Sequence, residues 1–355
     1  MDRETVDVYE ASIEAYLRRT LTAAKGAIAF GEAVPDGLVR LDLGSGPGHM
    51  TGALGEPVVA VDAAWSMISR VDATSMRVQA DLESLPFRSG ELHGTWASKC
   101  LQHIPAERLP MALADLHRCT AAGGRLDLVV FEGDGASRSD STDDLPGRMF
   151  WHWPRARLLD VVRGAGFTDV SLTTVERPPT VELHVTARRE HALPDSVGAG
   201  MRLLVCGLNP SPLTAELGIG FVGPGNRFWP AAIAAGLTDR PKDPRHALVH
   251  HGMGMTNLVQ RASVGAAELT RDEYAAGMAR VERLCEWLAP AAICFVGLAG
   301  WRAAVDRRAV AGIQAQPLGG VPVYVMPNTS GLNARTLPAE HADHLRAAAA
   351  FADRT

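Results

Sequence analysis

The chain has 355 residues, of which 46% are hydrophobic and 21% charged, and its formal net charge is −5. This length predicts two domains, and the ordinary composition excludes large-scale disorder. No apolar run reaches about 18 residues and the first residues lack a secretion signal, so we expect no membrane contact and a cytoplasmic location.

Cysteine spacing and charge distribution narrow the possibilities further. The five cysteines are scattered and form no C-x-x-C pair, so we expect neither a disulfide framework nor a metal site. Residues 1–200 carry 20 basic and 28 acidic side chains, a balance of −8, whereas residues 201–355 carry 15 and 12, a balance of +3. Two domains with opposite charge balances suggest two different partners.

Apolar runs and helical patterns alternate before residue 190. The predicted strands are Val39–Leu43, Val58–Asp62, Arg77–Ala80, Gly94–Ala97 and Leu126–Phe131, and the predicted helices are Ala106–Cys119 and Arg155–Gly164. This alternation predicts a parallel sheet with helices on both faces. The acidic, serine-rich segment Glu132–Asp144 offers little to bury, and we expect a mobile loop there.

A polar segment with prolines and glycines, residues 190–200, predicts a linker between a domain over 1–189 and a second domain over 201–355. The alternation then restarts. Its predicted strands are Leu203–Cys206, Ala292–Val296 and Val321–Met326, followed by a helix around Ala339–Ala352. The predicted fold class is therefore α/β, with two α/β/α domains in tandem.

Three alternate glycines follow the first predicted strand. Gly44, Gly46 and Gly48 come directly after Asp42, and Asp62 ends the next strand 20 residues later. Glycines at such a position let a ligand approach the backbone, and the second carboxylate is placed to accept hydrogen bonds from ribose hydroxyls. The alternative is a tight turn beside a solvated aspartate.

This segment resembles class I S-adenosylmethionine-dependent methyltransferases. The resemblance rests on the G-x-G-x-G spacing and on a third acidic residue at the end of a predicted strand, Asp81, which Leu82 follows. It covers about residues 5–189. It implies a Rossmann-like sheet that binds S-adenosyl-L-methionine. Gly44, Gly46 and Gly48 would bend around the methionine moiety, supported by Asp42, while Asp62 would hold the ribose and Asp81 with Leu82 the adenine. A degenerate scaffold without cofactor is the alternative.

The methyl acceptor is not readable from the sequence. The Pro-Pro-aromatic and Pro-Cys segments of DNA-base methyltransferases do not occur after the fourth predicted strand. Cys100 lies there without a preceding proline, which favours a buried, inert thiol. His103 is either a general base or a structural histidine.

Four separated motifs mark the second domain. The chain has Gly207–Pro212 after a strand, Gly220–Trp229, Gly254–Val259, and Met326–Ala334 after the last strand. Asn209 in the first motif can orient water through its side-chain carbonyl, although an Asn-Pro turn is the simpler local interpretation.

Together these motifs resemble the mismatch-specific uracil/thymine-DNA glycosylases of the uracil-DNA glycosylase superfamily, over about residues 193–352. The resemblance implies a parallel sheet, no cofactor, and mismatched or damaged double-stranded DNA as the partner. It assigns catalysis to Asn209, the base-binding platform to Phe221, and a second base-binding position to Asn328. Gly331, Leu332 and Asn333 would form a wedge that enters the base stack. Arg227 would be a phosphate contact or a structural residue.

Departures from the usual family motifs concern Ser211, Pro212, Thr329, Asn333 and Ala334, and they put the base preference in doubt. The sequence predicts excision of uracil, thymine or a related base from G:U or G:T mismatches in base-excision repair, joined to methyl transfer to an unidentified acceptor. One alternative is a nucleoside or nucleotide glycosidase and methyltransferase of small-molecule metabolism. Another is a glycosylase with a non-catalytic, cofactor-binding regulatory module.

Overall fold

The computed structural model describes residues 1–18 and 25–354, which form two compact units. The first unit comprises Met1–Arg163 and Phe167–Glu190, and the second comprises Gly164–Gly166 and His191–Thr355. Among the described residues, no helix has the length and apolar character needed to cross a membrane.

Nine strands and six helices are described in the first unit. The strands are β1 Arg40–Leu43, β2 Val58–Asp62, β3 Met76–Gln79, β4 Leu92–Ser98, β5 Thr120–Phe131, β6 Ala136–Arg138, β7 Met149–Trp151, β8 Phe167–Arg177 and β9 Thr180–Arg189. The helices are α1 Arg3–Ala11, α2 Ile13–Leu17, α3 Lys25–Ala33, α4 Trp65–Ile68, α5 Leu109–Cys119 and α6 Arg155–Gly164.

The main sheet of this unit has the strand order β3-β2-β1-β4-β5-β9-β8. Strands β1 to β5 pair in parallel, and in this register Asp42 lies opposite Ala60 and Trp96. Strand β9 is antiparallel to both β5 and β8, so the predicted parallel sheet continues into an antiparallel pair at this edge. The order places the carboxyl ends of β1, β2 and β4 side by side, where a crevice opens in such sheets.

The prediction of a mobile loop over Glu132–Asp144 was wrong for three residues of this segment. Ala136–Arg138 form β6, which pairs in antiparallel fashion with β7. All three β6 residues are exposed, so backbone pairing and not burial of apolar side chains accounts for this short ribbon.

The second unit contains five strands and six helices among its described residues. The strands are β10 Leu203–Gly207, β11 Met253–Asn257, β12 Ala292–Val296, β13 Gly312–Ile313 and β14 Val323–Met326. The helices are α7 Pro212–Leu217, α8 Phe228–Ala234, α9 Pro244–His251, α10 Arg271–Leu288, α11 Leu298–Ala304 and α12 Pro338–Ala352.

Its sheet has the order β11-β10-β12-β14-β13, parallel except for the short edge strand β13. Alternate residues of β10 enter two different cores. Leu203 and Val205 pack with α8 and α12, whereas Leu204 and Cys206 pack with α10 and α11. Helices therefore cover both faces, and the predicted α/β class is confirmed.

The segment 190–200, expected as a linker, is integrated into the second unit from His191 onward. Its Val197 is fully buried, and the backbone of Ser196 exchanges two hydrogen bonds of 2.8 Å with Met255 of β11. The charged side chain of Asp195 is also buried, because it pairs with Arg280 of α10. Proline and glycine content in this segment thus indicates irregular backbone packed against the unit, not a free tether.

Candidate functional sites

A cavity of about 510 Å³ opens at the carboxyl ends of β1, β2 and β4 in the first unit. The side chains of Asp42 and Asp62 line it, together with the backbone of the glycine-containing loop from residue 44 to 46. Such a volume is typical of a site for small organic ligands.

The glycine-containing loop is held by the Asp62 side chain. Its Oδ2 atom accepts a hydrogen bond from the backbone N–H of Gly46 at 2.8 Å, and its Oδ1 atom accepts one from Ala64 at 2.9 Å. Burial raises the pKa of Asp62 despite these bonds. A carboxylate has about four lone-pair positions, so Asp62 can still accept bonds from ligand hydroxyls.

Gly44 and Cys100 lie in close contact beneath the loop. Gly44 has φ +65°, and a Cβ atom added to it would lie 2.2 Å from the Cβ of Cys100. The Cys100 thiol donates a hydrogen bond to the carbonyl of Leu43 at 3.0 Å, and burial raises its pKa. These features agree with the inert thiol that the sequence suggested.

Asp42 is buried beside the cavity, and its Oδ2 accepts a hydrogen bond from the hydroxyl of Thr51 at 2.6 Å. Burial raises the pKa of Asp42 to about 7, and the nearby charge of Asp62 acts in the same direction. The first unit thus holds one buried and one half-buried carboxyl group at the carboxyl ends of neighbouring strands.

Three other predicted residues divide between the cavity and its surroundings. Leu82 is buried and lines the cavity, whereas Gly48 and Asp81 are not among its lining residues. Gly48 has φ +90° and turns the loop, and the exposed Asp81 caps the backbone N–H of Glu83 at 3.0 Å.

A hydrogen-bonded chain of side chains closes the other end of the cavity. Arg148 donates to the hydroxyl of Tyr9 at 3.1 Å, and this hydroxyl lies 3.0 Å from Nε2 of His103. Nδ1 of His103 lies 2.7 Å from the carbonyl oxygen of Met149. His103 is therefore part of a buried network, whose other members Tyr9 and Arg148 were not identified from the sequence.

In the second unit, four strands end at one edge and bring the sequence motifs together. The chain after β10 is bonded to the chain after β11, with Leu258 N donating to Gly207 O at 2.9 Å and Ser263 N donating to Pro210 O at 3.1 Å. Next to them, Gly297 N after β12 donates to Met326 O at 2.9 Å.

Asn209 has a fixed side-chain orientation in this edge. Its Nδ2 donates to the carbonyl oxygen of Pro210 at 3.1 Å and to Oγ of Ser263 at 2.8 Å. Since a carbonyl oxygen can only accept, the amide nitrogen must face Pro210, and the opposite atom Oδ1 is left to accept from a water molecule. Ser263, which sequence reasoning missed, is the residue that fixes this orientation.

Phe221 lies beside the start of the same motif. Its ring stacks on that of Phe228 with centroids 4.3 Å apart, and a Cβ added to Gly207 would lie 3.3 Å from its Cζ atom. Trp229 secures the loop by donating from Nε1 to the carbonyl of Gly220 at 2.8 Å. The backbone of Phe221 has φ +58°, which is uncommon for a bulky residue.

Asn257 is a second polar residue that we did not single out from the sequence. It ends β11, it is buried, and a Cβ added to Gly207 would lie 2.5 Å from its Oδ1. Arg280 donates to its backbone carbonyl at 2.8 Å and forms a 2.6 Å salt bridge with Asp195. A small recess beside Phe221 is lined by Thr256 and Asn257.

The loop over residues 327–336 carries the remaining predicted residues. Asn328 is exposed, and a Cβ added to Gly297 would lie 3.4 Å from its Cβ atom. Gly331 packs against the backbone of Gly225, where an added Cβ would be 3.1 Å from the carbonyl oxygen. Leu332 projects from the loop with 95% of its surface exposed.

Asn333 and Arg227 hold this loop and do not project from it. Nδ2 of Asn333 donates to Asn328 O at 2.8 Å, so this side chain turns inward while Leu332 points outward. Nη1 of Arg227 donates to Asn333 O at 2.9 Å and to Thr336 O at 2.8 Å. Arg227 was expected to be either a phosphate contact or a structural residue. Its bonds to the backbone of the loop are those of a structural residue.

A cluster of potential metal ligands lies outside both sites. The ligating atoms of Asp239, His246 and His251 are within 4.8 Å of one another. Oδ1 of Asp239 is 2.6 Å from Nε2 of His246 and 3.1 Å from Nε2 of His251, and these hydrogen bonds lower the pKa of Asp239 to about 2. Hydrogen bonding accounts for the proximity of these three side chains.

Comparisons with known families and structures agree with the two-unit architecture. The model of the uracil DNA glycosylase superfamily matches residues 194–350, and the model named Methyltransferase domain matches residues 41–128.

Three solved structures illustrate the similarity of the chain to methyltransferases. A 1,6-didemethyltoxoflavin-N1-methyltransferase from Burkholderia thailandensis is 24% identical, over 53% of this chain and 86% of its own, with a TM-score of 0.43. A possible histamine N-methyltransferase from Thermotoga maritima is 15% identical, over 52% and 99%, with a TM-score of 0.42. A methyltransferase from Methanosarcina mazei is 13% identical, over 48% and 99%, with a TM-score of 0.40.

Two parts of the chain thus match two different protein classes, a methyltransferase domain and a uracil DNA glycosylase. More particularly, residues 41–128 match the methyltransferase domain, and residues 194–350 match the uracil DNA glycosylase superfamily.

The residues of the first cavity fit S-adenosyl-L-methionine, the cofactor that the sequence resemblance implies. Asp62 offers carboxylate oxygens for ribose hydroxyls, and the loop at Gly46 brings backbone close to the cavity. Trp96 and Gln102 also line the cavity, and among the described residues their buried Nε1 and Oε1 atoms have no hydrogen-bond partner. A bound ligand could satisfy this donor and this acceptor.

Proposed function

We propose that the second unit hydrolyses the N-glycosidic bond of uracil, thymine or a related base in G:U or G:T mismatches of double-stranded DNA. The observation that carries this proposal is Leu332, which is 95% exposed on a loop that Arg227 ties down and whose Gly331 packs against Gly225, four residues after Phe221. Single exposed apolar side chains are common on protein surfaces, but this one stands on the loop where a base-flipping enzyme needs an apolar side chain to fill the vacated stack.

The arrangement supports a mechanism in which the glycosidic bond lengthens first. Positive charge develops on the deoxyribose and negative charge on the departing base. Oδ1 of Asn209 orients a water that captures the sugar cation, and the orientation is maintained by the bond from Nδ2 to Ser263. Because an amide is a weak base, the rate depends mainly on positioning and on stabilising the leaving base. Uracil should leave faster than thymine, whose methyl group donates electron density.

Excision from labelled duplexes containing G:U, G:T or A:U tests this proposal. We expect wild-type protein to release uracil from G:U duplex and Asn209→Ala to lose at least about 100-fold in rate. Leu332→Ala should reduce excision from duplex more than from single strands. Leu217→Ala removes another exposed leucine, 52% accessible on α7, and serves as the matched control. Absence of base release from every duplex would refute the repair function.

Small-molecule glycosidase activity is the alternative, and deoxyuridine and its monophosphate are the substrates that distinguish it. Cleavage of these compounds without cleavage of duplex would favour it. The charge balance of +3 over residues 201–355 predicts DNA binding that is modest and sensitive to salt. A DNA substrate also agrees with the cytoplasmic location expected from the sequence.

For the first unit, we propose transfer of a methyl group from S-adenosyl-L-methionine to an acceptor bound in the same cavity. Support comes from the half-buried carboxylate of Asp62, which lines the cavity, and from its bond to Gly46. Titration calorimetry with S-adenosylhomocysteine tests cofactor binding, and Asp62→Ala should weaken it about 10- to 100-fold. Binding without methyl transfer to any acceptor would favour a regulatory module.

A further inference from the structure

The half of the cavity away from the glycine-containing loop is lined by aromatic rings. Phe150 lies with its ring centroid 4.8 Å from that of His103 and 5.9 Å from that of Phe131. The ring of Tyr9 contacts His103 edge-on, with centroids 5.5 Å apart. Side chains of α1, β5 and β7 thus form an apolar chamber, and flat rings pack against such surfaces in offset or edge-on geometry.

In the hydrogen bonds at this end of the cavity, the chemistry of the groups determines which atom donates and which accepts. Arg148 has no acceptor atom, so it must donate to the hydroxyl of Tyr9, whose own hydrogen is then directed to Nε2 of His103. At the far end, the carbonyl of Met149 can only accept, so Nδ1 of His103 carries the hydrogen. His103 is consequently neutral with a lone pair on Nε2, and the Tyr9 oxygen keeps a second lone pair.

Arg148 itself is fully engaged and cannot serve as the binding site for an anionic acceptor. Its Nη2 donates to Asp143 at 2.6 Å and its Nε to the carbonyl of Leu145 at 3.0 Å. The guanidinium also lies over the rings of Tyr9 and Phe150, at 5.5 and 5.1 Å from their centroids. Its contribution is to fix Tyr9 and to favour the neutral form of His103.

A buried neutral imidazole beside a guanidinium is a weak base. Burial, and secondarily the charge of Arg148, lowers the pKa of His103 to about 4, although the bond to Met149 opposes this. A weak base removes a proton efficiently only from an acidic group, such as a ring N–H or a phenolic hydroxyl. Aliphatic amines are protonated near neutral pH and would bring a cation next to the positively charged guanidinium of Arg148.

We propose that the methyl acceptor is a small planar aromatic molecule, with a ring N–H or ring-attached hydroxyl, that lies against Phe131 and Phe150 and is deprotonated through Tyr9 and His103. This inference rests on the methyltransferase activity proposed above. The acceptor nitrogen or oxygen forms a bond to the methyl carbon, while the bond from that carbon to the sulfonium sulfur breaks and its electron pair stays on sulfur. The acceptor proton passes to the Tyr9 oxygen as the Tyr9 hydrogen passes to Nε2 of His103, which returns the proton to solvent afterwards.

The orphaned polar atoms of the cavity match such a molecule. Gln102 Oε1 can accept from a ring N–H, and Trp96 Nε1 can donate to a ring carbonyl or nitrogen. Heteroaromatic compounds present both kinds of group in one plane. Duplex DNA does not, because its bases are stacked and paired.

Acceptor assays with four planar probes test the proposal: lumazine, xanthine, 4-hydroxyquinoline and catechol. Ethanolamine and a 12-nucleotide single-stranded DNA are the comparison acceptors. We expect methyl transfer to at least one planar probe and calorimetric binding of that probe to protein loaded with S-adenosylhomocysteine. Transfer to ethanolamine or DNA alone, or neither binding nor transfer with all four probes, would overturn the inference. Failure to bind S-adenosylhomocysteine at all would instead remove the proposed methyltransferase function.

Variants separate proton transfer from ring packing. Tyr9→Phe retains the ring and removes the hydroxyl, so kcat should fall about 100-fold while the Kd of the planar probe changes less than about 3-fold. Phe150→Leu should raise that Kd about 3- to 10-fold with a smaller effect on kcat. Tyr274→Phe, in the second unit, is the matched control and should change neither. An unaltered kcat in Tyr9→Phe would exclude the proton pathway.

Discussion

The guanidinium of Arg227 is bonded to the backbone carbonyl of Asn333, the residue that follows the exposed Leu332. A second bond from the guanidinium reaches Thr336, and the backbone N–H of Arg227 donates to the carbonyl of Thr329 at 2.9 Å, so one half-buried arginine holds the loop on both sides of Leu332. These bonds connect the chain preceding α8 to the loop after β14. The arginine therefore determines where the leucine lies without contacting it.

Replacing Arg227 by methionine should free the 327–336 loop. Bonds from a charged donor contribute about 1.5–3 kcal/mol each when half-buried, and we expect excision from G:U duplex to fall about 10-fold or more. The salt dependence of DNA binding shows whether Arg227 positions the loop or contacts a DNA phosphate. A positioning residue leaves the slope of log K against log salt unchanged, whereas loss of a phosphate contact would reduce it by about 1.

Gly44→Ala should destabilise the first unit and abolish cofactor binding. Its φ of +65° disfavours any side chain, and the new Cβ would meet that of Cys100. Gly37→Ala is the matched control, because Gly37 has φ +77° but nothing within 4 Å of an added Cβ. We expect the control to lose about 1 kcal/mol from backbone strain alone and to bind S-adenosylhomocysteine normally. Equal losses in both variants would show that the contact with Cys100 is unimportant.

Asp42 should make the stability of the first unit depend on pH. Its pKa is raised from 3.8 to about 7, so the folded protein binds the proton more tightly than the unfolded chain. The free energy of unfolding should therefore fall as the pH rises from about 4 to about 7, and stay low above that. Between pH 5 and pH 8 the loss from this group is roughly 2 to 3 kcal/mol.

Calorimetric unfolding of wild type and Asp42→Asn checks this sign. The unfolding transition of the first unit is identified as the one whose midpoint temperature rises when S-adenosylhomocysteine is added. Without this ligand, the midpoint of that transition should fall between pH 5 and pH 8 in wild type, and it should fall less in the variant. The amide can still accept from Thr51, which preserves the one bond of the side chain. A larger pH dependence in the variant would contradict the raised pKa of Asp42.

Arg280→Met should destabilise the second unit strongly. The substitution leaves the buried carboxylate of Asp195 without its 2.6 Å partner, and loss of one member of a buried ion pair typically costs about 3–5 kcal/mol. Arg271→Met, at the exposed start of the same helix, should change stability by less than about 0.5 kcal/mol. Urea unfolding compares the two. A loss as small in Arg280→Met would mean that the hydrogen bonds from Thr256 and Gln260 are sufficient to stabilise the Asp195 carboxylate.

The sequence predicted correctly those features that depend only on the residues of the segment itself. Leu203–Gly207 and Ala292–Val296 are continuous apolar runs, and such buried parallel strands stand out without any tertiary information. The exposed position of Leu332 followed from its Ser-Gly-Leu-Asn turn, which is a poor core-forming segment.

Other elements depend on partners far away in the chain. Strand β11 has the sequence Met-Gly-Met-Thr-Asn, whose glycine and polar residues do not predict a strand; pairing with β10 and burial of all five residues make it one. Asp195 was predicted to lie in a linker, because its partner Arg280 is 85 positions away in the chain. Ser263 likewise acquires its position beside Asn209 only in the folded unit.

Phe221 has a consequence for evolution and for engineering. Its left-handed backbone, φ +58°, carries a conformational cost of about 1 to 3 kcal/mol that a glycine at this position would not incur. A search for thermally stabilised variants would therefore tend to select glycine or asparagine there and discard the aromatic ring stacked on Phe228. At this one position, tolerance to heat and the proposed role of the ring as a base-binding surface are opposing demands.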